Sequence, residues 1–157
     1  MSFTKDLIAG VQARRLSVLP DERGFLMEML RSDWPEFERF AQAYVTACHP
    51  GVIKAWHYHH LQTDHFVCLG GVAKVVLHDA RPDSPTKGFT NEFHMGILNP
   101  ILLKIPPFVY HGFTAEGGQV ALIVNFPTEL YNYAQPDEYR LPYDDPSIPY
   151  DWSVRDG

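Results

Sequence analysis

The chain consists of short segments in which apolar and polar residues alternate or apolar residues run together, and each segment is bounded by Gly, Pro or Asp. Short segments rich in β-branched and aromatic residues, with turn signals about every 8–12 residues, are typical of a β-sandwich or barrel. Gly70–Gly71 between two such segments predicts a hairpin. The predicted strands cover residues 11–19, 25–30, 43–48, 51–59, 65–70, 72–79, 92–98, 101–106 and 119–126.

Helical character is confined to residues 3–9 and 33–41, where we expect a turn or two each. Asp33 is a candidate N-cap of the second segment. Residues 136–157 are rich in Pro, Tyr and Asp, a composition that prevents long regular elements. Their Tyr and Trp residues predict an ordered tail that packs on the barrel. Because no linker or repeat divides the chain, we expect a single domain over residues 1–157.

Composition narrows the function classes. A chain of 157 residues that is 45% hydrophobic and 13% aromatic can bury a substantial core. A net charge of -6 without a basic block argues against nucleic-acid binding. The apolar runs are far shorter than the ~20 residues of a membrane helix, and no apolar leader is visible. Cys48 and Cys68 lie in apolar runs, which predicts free thiols. We therefore expect a soluble cytoplasmic protein that does not bind a membrane.

Four residues are candidates for one chemical site. His57 and His59 are two residues apart, so in an extended strand they point to the same face. Asp64 follows five residues after His59, and His111 comes from a distant segment. These groups can transfer protons, and they can also bind a divalent transition metal such as Zn, Fe, Mn or Ni. The pattern leaves both interpretations open.

The spacing of these residues has a counterpart in a known fold. The pattern Gly51-x5-His57-x-His59-x4-Asp64-x6-Gly71 resembles the first cupin motif, with Asp in place of the usual Glu. The segment Pro106–His111 resembles the second cupin motif in its Pro and His, with Phe in place of Gly. Cupins are jelly-roll barrels. The resemblance implies an all-β fold, a jelly-roll β-sandwich or barrel with short helices.

Five further motifs occur in order between residues 11 and 152. They are Asp21-Glu22-Arg23-Gly24-Phe25 with Glu28, Gly51-Val52-Ile53-Lys54-Ala55-Trp56-His57-Tyr58, Asp79-Ala80-Arg81 with Ser84-Pro85-Thr86, Ile105-Pro106-Pro107 with His111-Gly112-Phe113, and Asp144-Asp145-Pro146 with Asp151-Trp152. Together they resemble the motifs of the dTDP-4-dehydrorhamnose 3,5-epimerase family, the sugar-nucleotide branch of the cupins.

This resemblance implies an epimerase or isomerase that acts on a nucleotide-activated 4-keto-6-deoxy sugar. The implied reaction removes and returns a proton beside the keto group, without a metal or other cofactor, in a homodimer that exchanges N-terminal strands. By their positions in the motifs, His57 is implied to be the base and His111 to line the site. A base with a pKa near neutrality suits this chemistry. The residues predicted to bind substrate are Arg23, Phe25, Glu28, Gln42, Lys54 and His59.

The chain departs from the family pattern at chemically important positions. Lys54 replaces an Arg, Asp64 replaces a Lys, and Asn125 replaces the Tyr that serves as general acid. Asn can donate a hydrogen bond but cannot deliver a proton. The Asp that partners the base has no match, and we expect Asp64 to orient His57 or His59 instead. The predicted catalytic set is therefore His57, His111, Asp64 and Asn125.

Two alternatives remain open from the sequence. One is a metal-dependent cupin enzyme that uses His57, His59, Asp64 and His111 as ligands of a divalent transition metal. The other is a sugar-nucleotide binding protein without catalysis, which the loss of the family's Tyr and Lys motivates.

Overall fold

The computed structural model describes residues 6–154, which contain strands and turns and no helix. The strands are β1 (Gln12–Arg15), β2 (Val18–Asp21), β3 (Gly24–Met27), β4 (Tyr44–Cys48), β5 (Ile53–Tyr58), β6 (Asp64–Gly70), β7 (Val72–His78), β8 (Thr90–Gly96), β9 (Ile101–Ile105), β10 (Tyr110–Glu116), β11 (Ala121–Asn125) and β12 (Tyr139–Arg140).

Two five-stranded antiparallel sheets form a sandwich of the cupin jelly-roll class, as the sequence predicts. The first sheet has the strand order β1-β9-β6-β11-β4, and the second has the order β12-β5-β10-β7-β8. Strands β2 and β3 pair with each other in a separate hairpin. Because side chains alternate along a strand, each sheet turns one row of residues towards the other sheet.

The main core fills one part of the space between the sheets, with apolar side chains from both. A second cluster covers the outer face of the second sheet. Trp56 of β5 is fully buried there against Val76, and Ile148 and Trp152 of the C-terminal segment complete the cluster. His57, the next residue on β5, therefore points to the opposite face, which is the inner one.

The predicted helix over residues 33–41 is wrong. Hydrogen bonds from Trp34 N to Arg31 O and from Phe37 N to Trp34 O close successive i to i+3 turns, and no helix follows. Pro35 lacks an amide proton, and a helix of two turns gains little without packing. Of the other predicted helix, residues 3–5 lie outside the described residues, and residues 6–9 form a bend and the start of a turn.

The predicted hairpin at Gly70–Gly71 is also wrong, because β6 and β7 belong to different sheets. Gly71 has a φ of +61°, and a Cβ there would lie 2.5 Å from the carbonyl oxygen of Val120. The glycine therefore allows a tight crossing from one sheet to the other. Local turn chemistry cannot distinguish such a crossing from a hairpin.

Cys48 and Cys68 are buried free thiols, as predicted. Between residues 6 and 154 we find no helix of the length and apolar character that a membrane span requires.

Candidate active site

A cavity of about 940 Å³ opens between the two sheets. Its walls come from β4 and β6 of the first sheet, from β5 and β10 of the second, and from the segment between residues 129 and 141. A cavity of this size suits a small-molecule ligand of several rings. The predicted site residues that line it are Gln42, Lys54, His57, His59, Asp64 and His111.

Strand pairing brings His57 and His111 next to each other. His57 of β5 is the register partner of His111 of β10, and their rings are 6.2 Å apart between centroids. Gly112 makes this close pairing possible, since a Cβ there would lie 2.3 Å from the Cβ of Ala55. The register shifts between His111 and Phe113, as at a β-bulge.

His57 is paired with a carboxylate that the sequence did not indicate. Its Nδ1 lies 3.0 Å from Oε1 of Glu138, which also accepts hydrogen bonds from Arg140. Burial, with the neighbouring His111 and Arg140, lowers the pKa of His57 to about 4, although Glu138 opposes the shift. Neutral His57 that donates from Nδ1 to Glu138 keeps a free lone pair on Nε2. This is the arrangement of a general base.

Asp64 lies at the centre of a second, almost fully buried group. Its Oδ2 is 3.2 Å from Nε2 of His59 and 3.2 Å from Nε2 of His111. Its Oδ1 accepts hydrogen bonds of 2.7 Å each from Nδ2 of Asn125 and Nε2 of Gln62. Asp64 therefore contacts His59 and His111, whereas the carboxylate that contacts His57 is Glu138.

The charges of this group are mutually dependent. Burial would raise the pKa of Asp64, but its bonds to His111 and His59 outweigh burial and hold the pKa well below its usual range. Burial likewise would lower the pKa of His59, and its contacts with Asp64 and Asp137 raise it instead, to about 9. At neutral pH, His59 is therefore favoured as an imidazolium ion paired with Asp64.

Asn125 is fully buried and bridges two groups. Its Nδ2 donates to Asp64 and also, at 2.9 Å, to the hydroxyl oxygen of Tyr44, its register partner on β4. Its Oδ1 accepts from the amide of His65. Because the Tyr44 oxygen accepts from Asn125, its own proton remains available to another partner. Tyr44 also lines the cavity, and burial raises its pKa to about 12.

Two cationic side chains reach the cavity wall. Lys54 Nζ donates to Thr46 Oγ1 at 3.1 Å, which links β5 to β4 across the cavity. Arg140 is largely exposed and is held by Glu138. Both positions suit the binding of phosphate or of a developing oxyanion.

The structure does not bring the predicted nucleotide-binding residues to this cavity. Arg23 and Phe25 lie on the β2–β3 hairpin and are exposed, and Arg23 is paired with Asp21. Glu28 follows the hairpin and is paired with Arg31. None of the three lines the cavity.

Sequence reasoning missed Glu138, Arg140 and Tyr44. Glu138 and Arg140 belong to the Pro/Tyr-rich segment, for which the sequence predicts packing on the barrel and no role in the site. Tyr44 is the second residue of a predicted strand, and nothing in its surroundings in the sequence indicated chemistry. Its register pairing with Asn125 is a property of the sheet.

Comparison with known proteins assigns the chain to a family. The family model for dTDP-4-dehydrorhamnose 3,5-epimerase matches residues 5–156. The probable low-salt glycan biosynthesis epimerase Agl13 of Haloferax volcanii is 47% identical over 149 residues, which cover 94% of this chain and 96% of that protein.

Solved structures agree with this assignment. A dTDP sugar isomerase from Desulfovibrio desulfuricans superimposes with a TM-score of 0.88 at 37% identity, covering 95% of this chain and 94% of that one. A dTDP-6-deoxy-D-glucose-3,5-epimerase from Legionella pneumophila, in complex with dTDP-4-keto-L-rhamnose, has a TM-score of 0.81 at 26% identity, covering 92% and 79%. The chain described here therefore belongs to the dTDP-4-dehydrorhamnose 3,5-epimerase family.

Proposed function

We propose that this protein epimerises a nucleotide-activated 4-keto-6-deoxy sugar by removing and returning a proton at a carbon beside the keto group. The observation that carries this proposal is the pairing of neutral His57 with Glu138 on the wall of a large cavity. Membership of the epimerase family supports the reaction class. The dTDP-sugar bound to the Legionella relative supports the substrate class.

His57 is the proposed base. A proton beside a carbonyl is weakly acidic, so its removal needs an unprotonated base in contact with the substrate. The low pKa of His57 keeps it unprotonated at neutral pH, and Glu138 stabilises the imidazolium that forms in the transition state. Glu138 thus replaces the carboxylate partner that the sequence lacks at the expected place.

Inversion also requires a proton donor on the other side of the substrate, and Tyr44 is our candidate. Tyr44 reaches the cavity from β4 of the first sheet, whereas His57 reaches it from β5 of the second. Asn125 donates to the Tyr44 oxygen and so leaves the phenolic proton free for the substrate. In this scheme Asn125 positions the acid instead of acting as one.

The intermediate is an enolate, and its charge needs a partner. Lys54 and His111 line the same cavity and are proposed to stabilise the oxyanion. The reaction moves protons and transfers no electrons, so it requires no redox cofactor. Arg140 and Gln42 are proposed to bind the phosphates or the sugar, because both lie on the cavity wall.

We further propose a homodimer in which the β2–β3 hairpin completes the neighbouring subunit's site. Leu19, Phe25 and Leu26 on this hairpin are each more than half exposed, which is unusual for a cluster of large apolar side chains. An exchanged hairpin would bury them and bring Arg23 and Phe25 to the partner's nucleotide. Two buried free thiols suit a reducing compartment, and we propose the cytoplasm.

Solvent deuterium uptake into dTDP-4-keto-6-deoxyglucose, followed by NMR, tests the reaction. We expect the protein to label C3, C5 or both, and His57→Gln to reduce uptake by about 10³-fold. His60→Gln is the matched control, because His60 is exposed and does not line the cavity. Full uptake in His57→Gln, or no uptake by the unaltered protein, would contradict the proposal.

A further inference from the structure

The start of β12 carries the contacts that the C-terminal segment makes with the cavity histidines. Glu138 Oε1 lies 3.0 Å from Nδ1 of His57, and the backbone oxygen of Asp137 accepts from Nδ1 of His59. Strand β12 pairs with β5 at the edge of the second sheet, and it is only two residues long. Because so short a strand has few ladder hydrogen bonds, the position of Glu138 depends on what anchors the chain on either side.

The carboxylate of Asp137 provides the anchor on the near side. Its Oδ1 accepts from the amide of His60 at 2.8 Å. Its Oδ2 accepts from the amides of Leu61 and Gln62 at 2.9 and 3.1 Å. Although burial raises the pKa of Asp137, these three amides hold it below its ordinary value, so the group is an anion at neutral pH. Both oxygens of Asp137 are thus bonded to the loop that follows β5.

The neighbouring parts of the chain show why this anchor matters. Before Asp137, the hydrogen bonds of residues 130–136 stay within that loop, as far as the structure describes the chain. Beyond Glu138, two backbone hydrogen bonds of 2.8 and 3.0 Å join Leu141 to Trp56 of β5. Asp137 is therefore the point at which the chain rejoins the barrel, one residue ahead of the carboxylate that contacts the proposed base.

We propose that Asp137 is a positioning residue, whose carboxylate holds the main chain so that Glu138 meets His57. The inference rests on the proposed function, in which His57 is the base and Glu138 stabilises its imidazolium. The Glu138 oxygen and His57 Nδ1 are 3.0 Å apart. A displacement of about 1 Å would break this hydrogen bond, and misplacement on that scale costs about 10²-fold in rate.

Direct contact with substrate is the competing role for Asp137, because this residue also lines the cavity. Its two carboxylate oxygens already accept three amide hydrogen bonds, which argues against that role. The two roles differ in kinetics. Loss of a group that binds substrate and transition state equally raises KM, whereas loss of the correct position of Glu138 lowers kcat.

Deuterium uptake into dTDP-4-keto-6-deoxyglucose by Asp137→Ala tests the inference. We expect kcat for uptake to fall by about 10²-fold and KM to stay within about threefold. Asp137→Asn is the second variant if Asp137→Ala fails to fold. It keeps the shape of the side chain but turns an amino group towards amide donors, so kcat should fall here too. Asp145→Ala is the matched control, because Asp145 also accepts from a backbone amide, that of Ser147, and does not line the cavity. We expect it to match the unaltered protein.

A double variant shows whether Asp137 acts through Glu138. With Glu138→Gln already in place, adding Asp137→Ala should slow uptake by less than about fivefold, because the contact that Asp137 maintains is already lost. Long incubation with the label keeps these slow variants measurable. A further loss of more than about fivefold, a change confined to KM, or an unchanged kcat in Asp137→Ala would each overturn the proposal.

Proton NMR of the protein without substrate separates this inference from the proposed function. The hydrogen on Nδ1 of His57 is bonded to Glu138, so it should give a slowly exchanging downfield signal, which is assigned by its loss in His57→Gln. We expect Asp137→Ala to lose or shift this signal and Asp145→Ala to keep it. That result in a protein that takes up no deuterium would support the role of Asp137 and refute the reaction. An unchanged signal in folded Asp137→Ala would refute the role of Asp137 and leave the reaction standing.

Discussion

Position 125 shows that the role of a residue can depend on its partner on the neighbouring strand. The family's general acid is a Tyr at this position, and here it is Asn125, which cannot release a proton. Its register partner, Tyr44, brings a phenolic hydroxyl to the same place, with Asn125 donating to its oxygen. In the proposed mechanism, the acid function therefore moves one strand across the sheet, from position 125 to Tyr44.

Replacing Tyr44 by Phe tests this transfer of roles. Without the hydroxyl, the intermediate is reprotonated only by the base that formed it, so label should enter the sugar with retention of configuration. We expect epimerisation by Tyr44→Phe to fall by about 10²- to 10⁴-fold while deuterium uptake persists. NMR of the recovered substrate measures both quantities.

The control is Tyr143→Phe, which removes a hydroxyl from an exposed Tyr of the C-terminal segment and should change neither rate. Equal loss of uptake and inversion in Tyr44→Phe would indicate that Tyr44 only shapes the cavity. Because Tyr44→Phe leaves a donor of the fully buried Asn125 without its acceptor, it should cost about 1–3 kcal/mol of stability, and a thermal unfolding scan checks this.

The loop between β7 and β8 explains the residue types of the motif Asp79-Ala80-Arg81 with Ser84-Pro85-Thr86. Asp79 is fully buried, and its side chain accepts hydrogen bonds from Arg81, Ser84 and Thr86. Arg81 and Thr86 in turn bind the backbone of Ala9, so the loop fixes the segment before β1. This Asp-x-Arg-x-x-Ser-Pro-Thr motif is structural, although it belongs to the family pattern.

Asp79→Asn should therefore destabilise the fold in a pH-dependent way. Although burial opposes it, the bonds from Arg81, Ser84 and Thr86 hold the pKa of Asp79 well below its ordinary value of 3.8. A depressed pKa contributes stability above the unfolded-state value, and that contribution is lost as pH falls. We expect a deficit of about 2–3 kcal/mol at neutral pH that shrinks below about pH 4, measured by denaturant unfolding.

Asp83→Asn provides the comparison, since Asp83 is an exposed residue of the same loop. The hydrogen bonds from Arg81, Ser84 and Thr86 go to Asp79 instead. We expect its unfolding free energy to lie within about 0.5 kcal/mol of the unaltered protein at every pH. An Asp79→Asn deficit that stays constant from neutral to acid pH would show that shape, and not charge, explains the loss.

The sequence predicted secondary-structure elements accurately where a periodic pattern was long. It predicted them poorly where tertiary contacts determine the conformation of the segment. Strands such as β7 were predicted within a residue, because buried β-branched runs encode them directly. The segment around Pro35 has helix signals but packs as turns, since its few residues gain more from tertiary contacts than from helical hydrogen bonds. Motif spacing predicted that His57, Asp64 and His111 lie together, and all three line the cavity. Glu138 comes from a distant segment that has no recognisable pattern of its own.

At the scale of the whole molecule, the proposed dimer would complete the site of each subunit. The cavity holds the proposed base, acid and oxyanion-stabilising groups, while Arg23 and Phe25 stand on an exposed hairpin outside it. A symmetric dimer that exchanges this hairpin would give each cavity residues from two chains. Hence two different inactive variants should restore activity when they share a dimer.

Mixing His57→Ala with an Arg23→Ala/Phe25→Ala double variant tests this arrangement. After unfolding and refolding together, half of the dimers contain one chain of each kind, and each of these has one intact site. Activity should therefore recover to about a quarter of the unaltered level from nearly none. A mixture of His57→Ala and Glu138→Gln places both defects in the subunit's own cavity and should not recover. If both mixtures stay inactive although size-exclusion chromatography shows dimers, each site is built from a single chain, and the hairpin serves another purpose.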